Sequence, residues 1–504
     1  MKARYLASPL GRFTRLLLAC TCALASAGLH AAGQKSLDSD LGFSECTIGS
    51  GATALIAQCA TIDVPLNASS ATDSAEANLE LSIARIPARR QSERQDAFTL
   101  IAGGPGQSAI ETFPTVSFAF RHIMQNHDVI LIDQRGTGSS AKLVCEEASD
   151  SMGLSFDIDD AQTSAQSKEC LDALDYDPTW FTTSMAVHDL ERVRQTLGVS
   201  QWNMYGISYG TRVALQYLRR YPEAVRTLTL DAVVPPDISL GPEIAQLSQR
   251  ALDLIFKRCT EDTGCNEAFG NLSDATMDLL KSLETSPRNI SFEDVASGKL
   301  STMEFTRQHL AVTIRLMSYS AQTAAILPSM LHDAIVNDNF APLARQAKLQ
   351  TKSLGNTLAT GMHHAVICTE DAPFVNSESA GNDANTYLGE GVIQSLMASC
   401  EQWPAGQIDD DFKDPVVSDV PALILSGEAD PITPPSYGDS VAEHLTNSRH
   451  IVNSHQGHKQ APFGCMPVLL AQFISAGSVD NLNVDCLNRL RATPFFVDAN
   501  GPLP

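Results

Sequence analysis

Residues 201–222 read QWNMYGISYGTRVALQYLRRYP. The apolar run before Ser208 predicts a buried strand, and the residues after it predict a helix that ends near Pro222. Ser208 lies between Gly206 and Gly210, in the pattern G-x-S-x-G. In a sharp strand-to-helix turn, side chains at both glycines would collide with neighbouring elements, and the serine hydroxyl would project from the sheet edge. The pattern therefore predicts a nucleophilic serine, and the alternative is a tight turn whose glycines serve packing alone.

Strand and helix signals alternate on both sides of this turn. Residues 78–88 alternate apolar and polar side chains, while residues 97–106 and 127–140 each carry a short apolar run that ends in a glycine-rich turn. Residues 184–198 predict a helix that Gly198 stops, and residues 224–236 predict a strand ended by two prolines. This alternation predicts an α/β fold, with a mostly parallel central sheet and helices on both faces.

The chain changes character after this region. Residues 237–415 predict mostly helices and contain no buried-strand run, whereas residues 420–430 and 448–458 again predict buried strands. A helical insertion of this size fits a domain of its own. The predicted organisation has four parts: a signal peptide at 1–31, the first part of the core at 40–236, a helical cap domain at 237–415 and the rest of the core at 416–495.

A nucleophilic serine needs a base and an acid that orients the base. On this architecture they follow the serine in the order acid, then histidine, each in a loop after a later strand. Asp430 follows one predicted strand, and His458 follows the next. Glu428 is the alternative acid and His455 the alternative base. We favour His458 because Gly457 gives its loop the freedom to turn the imidazole inward.

An oxyanion intermediate needs backbone N–H donors. The start of a helix leaves free N–H groups, so the N–H of Tyr209 is the first candidate. The glycine-rich turn after the strand at 97–101 provides the second, and we select Gly104. A competing interpretation is dinucleotide binding, because G-x-G-x-x-A occurs at 104–109 and at 136–141, but lone fingerprints of this kind are weak. We expect no cofactor.

For the turn DQRGTGSS at 133–140 we favour a structural role over dinucleotide binding. We expect it to shape the chain after its strand, with Asp133 and Arg135 paired and buried.

The amino terminus predicts export. Lys2, Arg4, Arg12 and Arg15 precede a short apolar run at 16–25, which is too short to span a bilayer. Small residues follow, so we expect cleavage after residue 27 or 31 and a periplasmic or secreted protein without membrane integration. The formal net charge of -23 argues against nucleic acid or an anionic membrane as a partner.

The cysteine count agrees with export. Of twelve cysteines, Cys20 and Cys22 fall in the predicted signal peptide, which leaves an even ten. Connectivity does not follow from sequence, but pairing of neighbours is the simplest hypothesis, since each bridge would close a short loop in an oxidising compartment. The chain has no C-x-x-C and no H-E-x-x-H, so we expect no metal. The ten candidates are Cys46, Cys59, Cys145, Cys170, Cys259, Cys265, Cys368, Cys400, Cys465 and Cys486.

Several motifs together resemble one family. GGPG, DQRGTGSS, GISYGTRVALQYLRRYPEAV, GEADPITPP and GHKQ occur in the order found in α/β-hydrolase peptidases of the proline iminopeptidase and tripeptidyl aminopeptidase type. The segments GMHHAVICTED and CEQWP and the tail around Cys465 resemble the secreted tripeptidyl-aminopeptidase branch. One position departs from the pattern, because the loop usually reads HGGPG and this chain has Ala102. That departure argues against strict specificity for amino-terminal proline.

The resemblance implies a function. It places the nucleophile at Ser208, the acid at Asp430 and the base at His458, and it implies an acidic residue under the cap that holds the free α-amine of a peptide; Glu370 is the candidate. We therefore expect an exported serine aminopeptidase that releases amino-terminal residues or short peptides through an acyl-enzyme on Ser208. A carboxylesterase that uses the same three residues is the alternative.

Overall fold

The computed structural model describes residues 41–67, 78–90, 95–145, 160–295, 297–375, 383–498 and 500–502. The predicted signal peptide, with its cleavage positions and Cys20 and Cys22, lies outside these residues. The described residues belong to one compact unit.

The described part of the chain contains eleven strands and fifteen helices. The strands are β1 (Ser44–Ile48), β2 (Leu55–Pro65), β3 (Asn78–Ile86), β4 (Ala97–Ile101), β5 (Val129–Ile132), β6 (Trp202–Ile207), β7 (Val225–Asp231), β8 (Arg288–Glu293), β9 (Leu300–Phe305), β10 (Ala422–Gly427) and β11 (Ser448–Asn453). The helices are α1 (Ala109–Val116), α2 (Asp160–Asp172), α3 (Thr183–Leu197), α4 (Tyr209–Arg220), α5 (Ile244–Glu261), α6 (Thr263–Phe269), α7 (Ser273–Thr285), α8 (Arg307–Ser318), α9 (Ala321–Ala324), α10 (Leu327–Asn337), α11 (Ala341–Thr357), α12 (Thr360–Glu370), α13 (Gly391–Cys400), α14 (Pro435–Ala442) and α15 (Met466–Ala476).

Nine strands form the central sheet, in the order β1-β2-β3-β5-β4-β6-β7-β10-β11. Five of its eight strand pairs are parallel, and the three antiparallel pairs lie at the amino-terminal edge. Two hydrophobic clusters of buried residues cover the sheet, and one of them contains residues of both α3 and α4. The predicted α/β fold with a mostly parallel sheet is confirmed.

The predicted strands agree with β3–β7, β10 and β11. The helix predicted at 184–198 is α3, and it ends before Gly198, whose φ is +66°. Sequence reasoning missed β1 and β2. Most residues of β1 are exposed, and β2 mixes exposed and buried positions without a clean alternation. The hydrophobic period that identifies a strand is therefore weak in both.

The chain between β7 and β10 is mostly helical, as predicted. Its described part contains nine helices, α5–α13, and one hairpin that β8 and β9 form. Buried apolar side chains from these helices and from the hairpin make a third hydrophobic cluster. The hairpin did not show in the sequence as a buried run because its residues are largely exposed.

The predicted pair of Asp133 and Arg135 is wrong. Arg135 instead pairs with Asp189 of α3, with Nε and Nη2 each 2.7 Å from a carboxylate oxygen. The Asp133 carboxylate accepts from Ser108 Oγ at 2.6 Å and from the Ile110 N–H at 3.0 Å. Both groups are buried, but each satisfies its hydrogen bonds with a partner distant in sequence.

Five disulfides join the cysteines as neighbour pairing predicts. They are Cys46–Cys59, Cys145–Cys170, Cys259–Cys265, Cys368–Cys400 and Cys465–Cys486. No helix in the described part of the chain combines the length and the apolar character needed to cross a membrane.

Candidate active site

Ser208 occupies a strained turn between β6 and α4. Its φ is +54° and its ψ is −128°, a backbone conformation that residues other than glycine seldom adopt. All six residues of β6 and the first ten of α4 are buried, whereas Ser208 itself is partly exposed. The strand and the helix therefore hold the backbone of this turn while the serine side chain stays accessible.

The flanking glycines allow the close approach that this turn requires. A Cβ at Gly206 would lie 2.5 Å from the carbonyl oxygen of Gly210, and a Cβ at Gly210 would collide with the carbonyls of Ile101 and Ala102 at the end of β4. A Cβ at Gly103 would lie 3.0 Å from Cβ of Ser208. The glycine-rich loop after β4 thus passes directly beside the serine.

Asp430 and His458 form a buried acid–base pair. The distance from His458 Nδ1 to Asp430 Oδ2 is 2.8 Å, and both side chains are almost fully buried. The other Asp430 oxygen accepts from the N–H groups of Ile432 and Thr433 at 2.9 and 3.0 Å. Burial alone would raise the pKa of Asp430, but His458 and these N–H groups lower it below its ordinary value. Asp430 is thereby held as a carboxylate that orients the imidazole.

The alternative acid and base pair with each other outside this site. Glu428 Oε2 accepts from the N–H of His455 at 2.9 Å and lies 3.7 Å from its Nδ1, and both side chains are more than two-fifths exposed. The structure therefore brings together Asp430 and His458, and it leaves Glu428 and His455 at the surface.

The loop of His458 is also clamped by the end of α8. The His458 N–H donates to the Tyr319 carbonyl at 2.8 Å, and the Tyr319 ring meets the imidazole edge-on, with ring centroids 5.2 Å apart. A Cβ at Gly457 would lie 2.5 Å from that same carbonyl oxygen. Gly457 is thus needed for the close approach of the α8 end, and the loop freedom on which the prediction rested is not its role.

A residue that sequence reasoning missed joins the serine turn to the histidine loop. Asp231, the last residue of β7, accepts the Ser208 N–H through its carbonyl oxygen at 2.9 Å. Its buried carboxylate accepts from the Gln460 N–H at 2.8 Å, from the Ala461 N–H at 3.0 Å and from the Tyr205 hydroxyl. In the sequence, the one signal for Asp231 is that it stands at the carboxyl end of the predicted strand that follows the serine turn.

The two predicted oxyanion donors have free N–H groups. Neither Tyr209 nor Gly104 gives its backbone N–H to another described residue. Gly104 has φ +108° and is exposed within a loop that is otherwise largely buried. Tyr209 directly follows Ser208 in the chain. Gly104 directly follows Gly103, where a Cβ would lie 3.0 Å from Cβ of Ser208.

Glu370 does not lie where the resemblance implies. It is fully buried at the end of α12, and its oxygens accept from the N–H and the hydroxyl of Thr183 at 2.7 and 2.9 Å. Arg212 lies 3.5 Å away. Burial, only partly offset by Arg212, raises the pKa of Glu370 to about 7. Because the Glu370 carboxylate is fully buried, the structure does not support a contact between it and a substrate amine.

The dinucleotide interpretation is not supported by the second fingerprint. A Cβ at Gly138 would strike the Asp133 carboxylate, which also accepts from the N–H groups of Ile110 and Ser139. The turn is therefore filled by a protein carboxylate where a phosphate would need to bind. Cys145, Cys170 and His364 lie close together, but the two cysteines form a disulfide and have no thiolate to offer a metal.

Comparison with known proteins agrees with this fold. The α/β hydrolase fold family matches residues 96–258, and the TAP-like protein family matches residues 385–486. Serine protease Hip1 of Mycobacterium tuberculosis is 22% identical over 414 residues, 73% of this chain and 76% of that protein. Tripeptidyl aminopeptidase of Streptomyces coelicolor is 28% identical over 242 residues, 44% of this chain and 43% of that protein. YuaR of Escherichia coli is 27% identical over 258 residues, 47% of this chain and 51% of that protein.

The sheet, the serine turn and these matches define the chain as an α/β-hydrolase. The segment that matches the TAP-like protein family contains β10, β11 and the Asp430–His458 pair. The matched stretch is only about half of YuaR and of the tripeptidyl aminopeptidase.

Proposed function

We propose that this hydrolase is an exported serine aminopeptidase that uses Ser208, His458 and Asp430 as a catalytic triad. The observation that carries the proposal is the 2.8 Å contact between His458 Nδ1 and Asp430 Oδ2. This contact leaves Nε2 as the nitrogen that can take a proton from the serine. Asp231 binds both the backbone of Ser208 and the loop just after His458, which supports a shared site.

The proposed mechanism follows from these positions. The hydroxyl of Ser208 attacks the scissile carbonyl carbon while His458 Nε2 accepts its proton, and the N–H groups of Tyr209 and Gly104 stabilise the oxyanion. The protonated imidazole then gives its proton to the departing amine, which leaves an acyl-enzyme on Ser208. Water, activated by the same histidine, releases the amino-terminal fragment and restores the serine.

Two further parts of the proposal have separate support. Removal of residues from peptide amino termini is supported by the similarity to a tripeptidyl aminopeptidase. Export is supported by the five disulfides, because such bridges persist in oxidising compartments.

The first prediction tests the triad by covalent labelling with a fluorescent fluorophosphonate. The wild-type protein should label at Ser208, and Ser208→Ala should abolish labelling because the attacking oxygen is gone. His458→Ala should slow labelling by about 1,000-fold or more, since triad members act as one unit. His455→Ala is the matched control and should label like the wild type.

Peptidase action is tested on a mixed pool of peptides with free and with acetylated amino termini. We expect short fragments released from the free termini only. Labelling at Ser208 with turnover of aryl esters and none of peptides would instead identify a carboxylesterase. Labelling at a different residue would contradict the proposed triad.

A further inference from the structure

A cap arginine, Arg315, lies beside the ring that packs on the proposed catalytic base. Arg315 is one helical turn before Tyr319, and its Nη2 lies 3.4 Å from the Tyr319 hydroxyl. The Tyr319 ring contacts the imidazole of His458. The guanidinium of Arg315 therefore lies at the hydroxyl end of the Tyr319 ring, and that ring packs on the proposed catalytic base.

His363, whose electrostatic surroundings include the charge of Arg315, contacts the glycine-rich loop. His363, on α12, lies with Nδ1 3.2 Å from the carbonyl oxygen of Pro105, next to the proposed oxyanion donor Gly104. Burial lowers the pKa of His363, and the nearby charge of Arg315 lowers it further, so this imidazole is neutral at pH 7. Arg315, Tyr319, His363 and Ser208 are all partly exposed. Arg315 thus carries a partly exposed positive charge close to the ring that packs on the proposed catalytic base.

No acidic side chain in the described ranges lies within ion-pair distance of Arg315. Its Nε is buried and has no hydrogen-bond partner there, and the 3.4 Å approach to a neutral hydroxyl is its one hydrogen bond. Two fully buried arginines of this protein pair instead with carboxylates, Arg135 with Asp189 and Arg212 with Asp371. An arginine left unpaired beside a proposed reaction centre is suited to binding an anion from the substrate.

We propose that Arg315 binds a carboxylate of the substrate and so selects acidic substrates. The inference rests on the proposed function, because the reacting bond is placed at Ser208. A carboxylate site near Ser208 could serve a peptidase or an esterase alike. The guanidinium can donate two parallel hydrogen bonds to a carboxylate, a geometry that lysine or a neutral side chain does not reproduce. The carboxylate can come from an acidic side chain near the scissile bond or from the carboxy terminus of a short peptide.

The test compares wild type, Arg315→Gln and Arg315→Lys on paired substrates. One pair of peptide amides differs by Glu against Gln next to the scissile bond, and a second pair differs by a free against an amidated carboxy terminus. Aryl esters with and without a carboxylate in the acyl group form a third pair. Arg345→Gln is the control, because Arg345 is an exposed cap arginine on α11.

We expect wild type to favour the carboxylate-bearing member of at least one pair. Arg315→Gln should lower kcat/KM for that member by about 10- to 100-fold, the size of a lost charge-assisted hydrogen bond, and change its neutral counterpart by less than about 3-fold. Arg315→Lys should recover part of the loss, and Arg345→Gln should match wild type. The pair that responds identifies the source of the carboxylate.

Two results would overturn the inference. One is a wild type without preference in any pair, and the other is equal loss on charged and neutral substrates in Arg315→Gln. Fluorophosphonate labelling shows whether Ser208 is reactive, and the ester pair measures carboxylate preference without peptide cleavage. Failure of the Arg315 inference can therefore be distinguished from failure of the proposed peptidase function. An enzyme that labels and cleaves only esters can still show, or fail to show, the dependence on Arg315.

Discussion

At the scale of single residues, Asp231 illustrates how one buried residue can hold two segments that carry proposed catalytic residues. Burial raises its pKa, and the Tyr205 hydroxyl and two backbone N–H groups partly offset that rise. Because these donors are buried, each would be left without an acceptor if the carboxylate were removed. Asp231 is a positioning residue, since it acts through the loop that carries His458.

We therefore predict that Asp231→Ala both destabilises the fold and impairs catalysis. Each buried donor left unpaired costs about 1–3 kcal/mol, so the free energy of unfolding should fall by several kcal/mol. Asp231→Asn keeps one acceptor oxygen and should lose less stability, yet its kcat should still fall more than its KM rises, because the His458 loop shifts. Urea unfolding and steady-state kinetics measure both effects.

The control for this prediction is Asp439→Asn. Asp439 is an exposed acid whose carboxylate contacts His450. Surface changes of this kind usually alter stability by about 0.5 kcal/mol or less. Unchanged kcat in an Asp231→Asn protein that remains folded would contradict the positioning role.

At the scale of elements, Glu370 ties α12 to the start of α3 and to α4. It accepts from Thr183 at the first position of α3 and lies beside Arg212 of α4. The ordinary pKa of its carboxyl is 4.5, and burial raises that pKa to about 7 in the folded protein. Between these two values the folded state binds more protons than the unfolded state, so the contribution of Glu370 to stability falls as pH rises.

The predicted consequence is a pH-dependent effect of Glu370→Gln. An amide cannot ionise, so the variant should gain stability relative to wild type between about pH 4.5 and pH 8, by at most about 3 kcal/mol at 1.36 kcal/mol per pKa unit. Thermal unfolding across that range measures the difference. Catalysis should change little, whereas a residue that binds the substrate amine would raise KM for peptides with a free amino terminus. Glu428→Gln, an exposed acid, is the control.

At the scale of the whole molecule, the disulfides close loops of unequal length. Cys259–Cys265 spans 6 residues, whereas Cys368–Cys400 spans 32 and joins α12 to α13. In the chain-entropy description, a bridge that closes a longer loop restricts the unfolded chain more. The bridge between α12 and α13 should therefore contribute more to stability.

We predict that replacing both cysteines of a bridge by serine lowers stability more for Cys368–Cys400 than for Cys259–Cys265. The expected difference in the free energy of unfolding is about 1.5 kcal/mol from loop length. Urea titration of the two double variants against wild type measures it. An equal or reversed order would mean that the native contacts around each bridge outweigh loop entropy.

Local patterns in the sequence were enough to predict seven of the nine strands of the central sheet, all but β1 and β2. The apolar runs of β4–β7, β10 and β11 are short, continuous and ended by glycine or proline, so each could be recognised alone. The residues of β1 and of the β8–β9 hairpin carry no such pattern, because few of them are buried, although each strand pairs with its neighbour in the chain.

The sequence by itself determined the fold class and the serine turn, because each rests on patterns of residues close together in the chain, and it predicted the order of acid and base. Only the tertiary structure decided between His458 and His455, placed Glu370 in the interior, paired Arg135 with Asp189 and revealed Asp231 and Arg315. These outcomes depend on which side chains meet across elements separated by many residues. Burial and hydrogen-bond partners are properties of that packing, so no local pattern encodes them.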